Sequence, residues 1–313
     1  GVPIGWDGVN DAAAFDALIQ AYELGVSLFD TADVYGLGRS ERLVGRLLGT
    51  VDRASVVVCS KVGYFAGTSR HPYEPAQMRH QFDTTLANLG TGYLDGYFFH
   101  STDFGEADCY LAGAVELMNE LREQGLIRGI GMRAPHAFAE QWASGDGPNV
   151  AATARWLRLF ETIRPDVVTV RYNLLSPLYA ADDTDIFIFA RRHGVGVLIK
   201  QVLGQGLLLG SHGLDTSLTF SPGDHRTADP AFTPEARRRL AARLAPLRAR
   251  FGDSPAKLAR LALRYALQHA PDAAVLVGFR NATQIRANVT CLGEPLSLAE
   301  IAEVRAALHP PTT

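Results

Sequence analysis

The sequence is poor in cysteine and contains no long apolar run. Its three cysteines, Cys59, Cys109 and Cys291, are too few and too scattered for a disulfide framework or a cysteine-based metal site, and we expect no bound metal. No apolar run reaches the length of about 18 residues that spans a bilayer. The N-terminus also lacks the basic stretch followed by an apolar core that is typical of a signal peptide. We therefore expect a cytoplasmic protein that does not bind membranes.

An excess of positive charge is also missing, and lysine is scarce. The 30 basic and 33 acidic residues give a formal net charge of −3, whereas a nucleic-acid-binding domain is normally basic. We thus expect a small molecule as the partner and no nucleic acid, and the sequence leaves the oligomeric state open. Only three of the basic residues are lysines, namely Lys61, Lys200 and Lys257. Codon bias explains the ratio, but the positions of Lys61 and Lys200 bear on the site below.

Short apolar runs alternate with amphipathic helical stretches along the chain. Seven runs, rich in Val, Ile, Leu and Phe, predict parallel strands that are buried on both faces: 27–30, 55–61, 94–100, 127–132, 166–171, 195–200 and 274–277. The alternation predicts an α/β fold, with an open doubly wound sheet and a closed eightfold barrel as alternatives.

The missing glycine-rich turn favours the barrel. No Gly-x-Gly-x-x-Gly sequence opens a strand–helix unit, so the fingerprint of the doubly wound dinucleotide-binding fold is absent. We therefore predict a single (β/α)8 TIM barrel domain over residues 1–313. Its first strand would be Val2–Gly5, at the extreme N-terminus. Extra C-terminal helices would lie at 234–251, 254–269 and 298–308.

Three consecutive predicted strands end in residues that carry chemistry, and in a β/α barrel the active site lies at these ends. They carry Asp30 with Tyr35 just beyond it, then Lys61, then His100. A buried lysine beside an aspartate stays protonated and stabilises a nearby phenolate, so we expect the pKa of Tyr35 to fall below about 10. Such a phenol donates a proton to a carbonyl oxygen that His100 orients, which suits hydride addition to a ketone or aldehyde.

The stretch from residue 28 to residue 45 (LFDTADVYGLGRSERLVG) resembles the signature of the aldo-keto reductase superfamily, with its spacing kept. Further motifs follow in the family's order at 60–63 (SKVG), 94–100 (LDGYFFH), 125–131 (GLIRGIG) and 277–288 (VGFRNATQIRAN). The opening Pro-Ile-Gly is similar to the first strand of members related to sugar and aldose dehydrogenases. The resemblance covers nearly the whole chain.

The resemblance implies a barrel that binds NADP, with NAD as the alternative, without a Rossmann domain. It makes Tyr35 the general acid, Lys61 the residue that lowers the pKa of Tyr35, Asp30 the partner of Lys61, and His100 the residue that positions the carbonyl. It assigns the cofactor contacts to Arg133, Thr169, Lys200, Leu203, Gly204, Gln205, Gly206, Leu207, Gly278, Arg280, Gln284 and Asn288. Arg280 would meet a 2′-phosphate, which favours NADP.

The sequence departs from the family where the nicotinamide is held. Arg133 and Ala134 stand where the family has Ser-Asn, Thr169 stands for its Gln, and Lys200 stands for its aromatic residue. A cation about 4 Å from the oxidised, positive ring disfavours it by roughly 4 kcal/mol before solvation. We hypothesise a bias towards reduction, or an anionic substrate bound by Arg133 or Lys200. Subfamily drift is the simpler account of these changes.

The predicted function is NAD(P)H-dependent reduction of a ketone or aldehyde, such as a sugar or a natural-product intermediate. Trp6, Tyr64 and Phe65 lie just past strand ends and are candidates for the substrate pocket, although ordinary loop packing also explains them. A redox-neutral epimerase or dehydratase is the first alternative, because the altered ring pocket would loosen nicotinamide binding. A non-catalytic cofactor-binding subunit is the second, and the intact set of four residues argues against it.

Overall fold

A computed structural model describes residues 2–5, 8–180, 182–210, 218–220 and 225–309 of the chain. The chain divides into two compact units. Unit 1 comprises Gly1–Val170, Thr184–Val197 and Gly278–Ile285, and unit 2 comprises Arg171–Asp183, Leu198–Val277 and Arg286–Thr313. Trp6 lies outside the described residues. The single domain expected over residues 1–313 stays a prediction.

The described residues contain seven strands and eleven α-helices. The strands are β1 (Leu28–Asp30), β2 (Val57–Val62), β3 (Leu94–Phe99), β4 (Ile127–Arg133), β5 (Val167–Arg171), β6 (Gly196–Lys200) and β7 (Ala274–Val275). The helices are α1 (Val2–Gly5), α2 (Asp11–Glu23), α3 (Arg39–Leu48), α4 (Pro75–Leu89), α5 (Leu111–Glu123), α6 (Val150–Ile163), α7 (Ile186–Arg192), α8 (Pro234–Phe251), α9 (Pro255–His269), α10 (Ala282–Thr290) and α11 (Leu298–Leu308).

The seven strands form one parallel sheet in which they follow one another in chain order. Parallel neighbours need a crossover connection, and the helices between the strands supply it. The predicted strand regions are confirmed, with ends that differ by no more than two residues. The chain therefore has the α/β fold with a parallel sheet that its apolar pattern predicts.

The prediction that Val2–Gly5 forms the first strand is wrong. These residues form the helical turn α1. An apolar run of four residues does not distinguish a strand from a helix by its periodicity, and a proline suits the first turn of a helix. The main chain of Gly5 packs on that of Tyr35, so closely that a Cβ on Gly5 would lie 2.6 Å from the Tyr35 carbonyl oxygen.

Phe98 fills the inner face of the sheet in unit 1. The register aligns Lys61 with Phe98 and Phe98 with Gly131, and aligned residues of parallel strands point to the same face. A Cβ on Gly131 would overlap the Phe98 ring, and one on Gly96 would lie 2.9 Å from it. The ring is therefore buried at the level of Lys61, and the residues beyond it form the carboxyl ends of the strands.

At the amino end of β3, Asp95 ties neighbouring strands together. Its carboxylate accepts hydrogen bonds from the Val58 main-chain N–H at 2.8 Å, from Arg53 at 2.9 Å and from Arg128 at 2.8 Å. The Asp95 side chain is only 8% exposed. Because a buried carboxylate is costly unless it is paired, these contacts hold β2, β3 and β4 in one register.

Unit 2 contains the predicted C-terminal helices as α8, α9 and α11. Thr233 and Ser254 cap α8 and α9, and Ser297 opens α11 with a capping box. Arg243 of α8 donates to the carbonyl of Leu308, the last residue of α11, at 2.8 Å. Among the described residues, no helix has both the length and the apolar composition that a membrane crossing requires.

Candidate active site

The register of β1 to β5 gathers polar residues on one face of the sheet at the carboxyl ends of its strands. Residues aligned on parallel neighbours, and residues two apart on one strand, point to the same face. The inner face at these ends carries Asp30, Lys61, His100, Arg133 and Thr169. The fold thus places the site residues predicted from separate motifs of unit 1 on a common face.

Lys61 is a buried cation that is held by Asp30. Its Nζ donates to Asp30 Oδ1 at 2.6 Å and to the main-chain carbonyl of Thr31, and the residue is only 6% exposed. Burial lowers the pKa of Lys61, but Asp30 and the Tyr35 phenol outweigh it and raise the pKa above its ordinary value. The ammonium therefore stays charged, as the sequence predicts.

Tyr35 lies beside this ammonium, with Lys61 Nζ 5.0 Å from the centre of its ring. Burial raises the pKa of Tyr35, while Lys61 acts in the opposite direction and only reduces the rise. The expectation that the pKa falls is therefore wrong. Burial removes the phenolate from water, and this costs more free energy than the interaction with Lys61 contributes, because the ammonium is also paired with Asp30. Tyr35 keeps its proton at neutral pH, as a proton donor must.

His100 completes the group, and Tyr64 stands against it. The His100 ring is edge-to-face with the Tyr35 ring at 5.8 Å and with the Tyr64 ring at 4.8 Å between centres. Tyr64 is 50% exposed, so it remains partly accessible to solvent. Phe65 is half-buried, and its carbonyl accepts from Gln77 at 3.0 Å. Of the two predicted substrate residues that the structure describes, Tyr64 contacts the candidate catalytic group directly.

Sequence reasoning missed a second carboxyl, Asp33, which is buried two residues before Tyr35. It is 1% exposed, Oδ1 accepts from the Val34 N–H at 2.7 Å, and Oδ2 has no hydrogen-bond partner within the described residues. Burial raises the pKa of Asp33 to about 7. Its position inside the motif of residues 28–45 is the signal that points to it.

Arg133 is half-buried at the end of β4. Its guanidinium lies 2.8 Å from His136 Nε2, and its carbonyl accepts from Trp156 Nε1 at 2.9 Å. A guanidinium only donates hydrogen bonds, so Nε2 of the histidine is the acceptor. The next residue, Ala134, donates its N–H to the Thr169 carbonyl at 2.9 Å. Sequence reasoning found Arg133 and missed the histidine three residues further on.

Unit 2 holds Lys200 and the loop predicted to bind the pyrophosphate. Lys200 ends β6 half-buried, and its carbonyl accepts the Tyr172 N–H at 3.4 Å. In the segment Leu203–Leu207, three successive residues are left-handed: Gly204, Gln205 and Gly206, with φ of 56°, 56° and 93°. The two glycines carry no side chains, so a phosphate group can approach the main chain closely.

The residues predicted near the adenosine are divided between the units. Gly278, Arg280 and Gln284 belong to unit 1, where the Gln284 side chain accepts the Arg280 N–H at 2.8 Å and so fixes the turn that opens α10. The Arg280 side chain is exposed. Asn288 lies on the part of α10 that belongs to unit 2.

Comparison with known proteins gives the chain its family. The model of the Aldo/keto reductase family matches residues 1–309. An uncharacterized oxidoreductase of Mycobacterium tuberculosis is 31% identical over 293 residues, which are 93% of this chain and 80% of the relative. The NADH-specific methylglyoxal reductase of Escherichia coli is 27% identical over 316 residues, covering 96% of this chain and 89% of that protein.

Solved structures give the same fold. An aldo/keto reductase from Klebsiella pneumoniae, in complex with NADP and acetate, superposes with a TM-score of 0.66 at 22% identity, covering 98% of this chain and 90% of that one. The family match extends over both units and includes every predicted site residue. The chain belongs to the aldo/keto reductase family, and it is an oxidoreductase.

Proposed function

We propose that the chain reduces a ketone or aldehyde to an alcohol with NADPH, and that Tyr35 is the general acid. The observation that carries this proposal is the buried Lys61–Asp30 pair, at 2.6 Å, beneath the Tyr35 ring. A charged ammonium fixed beside a phenol stabilises the negative charge that develops when the phenol gives up its proton. We also propose a closed (β/α)8 barrel, which the family resemblance implies, and a cytoplasmic location, which is the expectation from the sequence.

The cofactor is NADP or NAD, and the residues present fit such a nucleotide. Gly204 and Gly206 leave the main chain open to a phosphate, and the exposed Arg280 offers a guanidinium to a 2′-phosphate, which favours NADP. When bound, the nicotinamide supplies the hydride. The other proposed cofactor contacts are Arg133, Thr169, Lys200, Leu203, Gln205, Leu207, Gly278, Gln284 and Asn288.

Each of the four central residues has one task in the proposed reaction. Tyr35 passes its phenolic proton to the carbonyl oxygen as negative charge develops there. Lys61 stabilises the resulting phenolate, and Asp30 keeps Lys61 charged and in place. His100, whose ring lies 5.8 Å from the Tyr35 ring, orients the same carbonyl oxygen. Tyr64 borders this position, and we propose that it lines the substrate pocket together with Trp6 and Phe65.

The two cations proposed to lie near the nicotinamide ring favour the direction of reduction. Arg133 and Lys200 would oppose the positive charge of the oxidised nicotinamide, so we expect carbonyl reduction to be faster than alcohol oxidation. A redox-neutral epimerase or dehydratase is the second candidate. It is favoured by one observation: Arg133 and Ala134 offer no amide or hydroxyl side chain to the carboxamide of the ring.

The test combines NADPH binding with turnover. Fluorescence of NADPH on mixing measures binding, and loss of NADPH absorbance with a panel of aldehydes, ketones and sugars measures reduction. We expect the wild-type chain to bind and turn over, and Tyr35→Phe to keep NADPH binding while kcat falls by about 10²- to 10⁴-fold. The control is Tyr22→Phe, which removes a half-buried phenol that contacts Ser55 at 3.1 Å, and its turnover should match the wild type.

The outcomes separate the candidates. Failure to bind NADPH contradicts the reductase. Binding without turnover of any carbonyl supports the non-catalytic subunit instead. Conversion of a substrate without net loss of NADPH supports the redox-neutral enzyme.

A further inference from the structure

Arg133 is a second cation on the face that carries the candidate catalytic group. In the register, Phe99 aligns with Met132 and Arg133 aligns with Thr169, so Arg133 stands at the level of His100, between β3 and β5. Adjacent strands are about 4.8 Å apart. The side chain of Arg133 therefore starts from the strand next to the one that leads to His100, the residue that we propose to orient the carbonyl.

The two cations on this face differ in how their charge is balanced. Lys61 is neutralised by Asp30 at 2.6 Å. Arg133 has no carboxylate partner among the described residues, and its guanidinium lies at hydrogen-bond distance, 2.8 Å, from the His136 imidazole. A neutral imidazole orients the guanidinium without cancelling its charge.

A half-buried guanidinium loses part of its hydration, and a ligand with negative charge would compensate for that loss. Planar guanidinium groups bind carboxylates and phosphates through paired hydrogen bonds, so the missing partner is an oxyanion. We infer that the substrate is an oxo acid or an oxo phosphate, whose carbonyl lies at His100 and Tyr35 while its anionic group pairs with Arg133.

This inference rests on the proposed reduction and adds the substrate class to it. His136 acts as a positioning residue, because its Nε2 accepts from the guanidinium and holds it in place. The oxyanion has a second conceivable source, the phosphates of the cofactor. If the oxyanion belongs to the substrate, Arg133 controls the preference for charged over uncharged substrates. If it belongs to the cofactor, Arg133 controls the affinity for NADPH.

The test compares substrates that differ only in the anionic group. Succinic semialdehyde is set against its methyl ester, and glyceraldehyde 3-phosphate against glyceraldehyde, with kcat/KM measured for each. Wild type should prefer the charged member of at least one pair by about tenfold or more, as expected of one charge-assisted pair. The preference should weaken as ionic strength rises.

Three variants locate the effect. In Arg133→Gln the ratio of kcat/KM for the charged to the uncharged substrate should fall about tenfold, and this ratio cancels any loss common to both. Arg133→Lys, which keeps the charge and loses the paired geometry, should restore part of the ratio. Arg128→Gln, at the amino end of the same strand and 63% exposed, is the matched control and should leave the ratio unchanged.

The possible failures are distinguishable. Absence of NADPH consumption with every substrate contradicts the proposed reduction itself. Turnover without a preference for the charged member of either pair overturns the inference and leaves the reduction intact, and this comparison needs no variant. An unchanged ratio in Arg133→Gln also overturns it, and a simultaneous loss of NADPH affinity would assign Arg133 to the cofactor.

Discussion

Asp33 is a carboxyl group whose ionisation the fold opposes. Burial and the charge of Glu41 raise its pKa from 3.8 to about 7, although the Val34 N–H and Lys61 act against this rise. Between these pH values the folded chain holds a proton that the unfolded chain releases, so the free energy of unfolding falls as pH rises. Over the interval of about three pH units between the two pKa values, the free energy of unfolding falls by roughly 4 kcal/mol.

Asp33→Asn removes this titration and keeps the shape of the side chain. We expect the free energy of unfolding of the variant, relative to wild type, to increase between about pH 4 and pH 7 and to level off above that range. Urea unfolding of both proteins across the range measures the difference. The control is Asp52→Asn, which removes an exposed carboxylate that accepts a similar main-chain hydrogen bond at 3.1 Å. The same pH slope in both variants would contradict the assignment to Asp33.

Residue identities were easier to predict than residue energetics. Asp30, Tyr35, Lys61 and His100 follow from strand ends and from the family motif, because both are patterns of sequence. The direction of the pKa shift of Tyr35 does not follow from them. It depends on how far the phenol is removed from water, and the sequence shows the neighbours of a group without showing its depth. Asp33 escaped notice for the same reason.

The turn after Tyr35 is held in an unusual conformation. Gly36, Leu37 and Gly38 are all left-handed, with φ of 64°, 51° and 81°. Leu37 is 73% exposed, so no burial of its side chain offsets the strain of this conformation. The main chain of Gly36 lies directly against that of Gly5, and a Cβ on Gly36 would overlap the Gly5 carbonyl oxygen.

Gly36→Ala should therefore be more costly than left-handed strain alone. The matched control is Gly90→Ala at the end of α4, where φ is 61° but an added Cβ meets nothing within 4 Å. We expect the control to lower the free energy of unfolding by about 1 kcal/mol and Gly36→Ala by about 2–4 kcal/mol, because overpacking adds to the strain. Urea unfolding measures both. Turnover should fall in Gly36→Ala, where Tyr35 must shift, and similar values for the two variants would rule out the Gly5 contact as the cause.

The same contact explains why one element could not be predicted. The seven strands of the sheet follow from runs of buried apolar residues between turn signals, and this periodicity is local. Val2–Gly5 is also apolar, yet it forms a helical turn, and the main chain of Gly5 packs on residues 30 and 31 positions away. A contact between two glycine main chains leaves no apolar pattern in the sequence.

The sequence motifs identify the family of the chain more readily than the apolar pattern identifies the boundaries of its two units. The family match covers residues 1–309 and so extends over both units. The division into two units does not follow from composition, since apolar strands and amphipathic helices occur throughout. The proposed cofactor contacts are a further property of the complete chain, and nucleotide binding should be measurable as a change in its stability.

A ligand that binds only the folded chain raises its stability by mass action, by about 2.7 kcal/mol at a concentration one hundredfold above Kd. If Arg280 pairs with the 2′-phosphate, NADPH should raise the Tm of wild type more than NADH does, by at least about 2 °C at equal concentration.

Arg280→Gln should reduce the rise in Tm caused by NADPH to that caused by NADH. The rise caused by NADH should stay unchanged, because that nucleotide has no 2′-phosphate. Arg305→Gln, an exposed arginine on α11, serves as the control and should keep the wild-type difference. Equal rises with both nucleotides in wild type, or an equal loss of both in Arg280→Gln, would show that Arg280 does not read the 2′-phosphate.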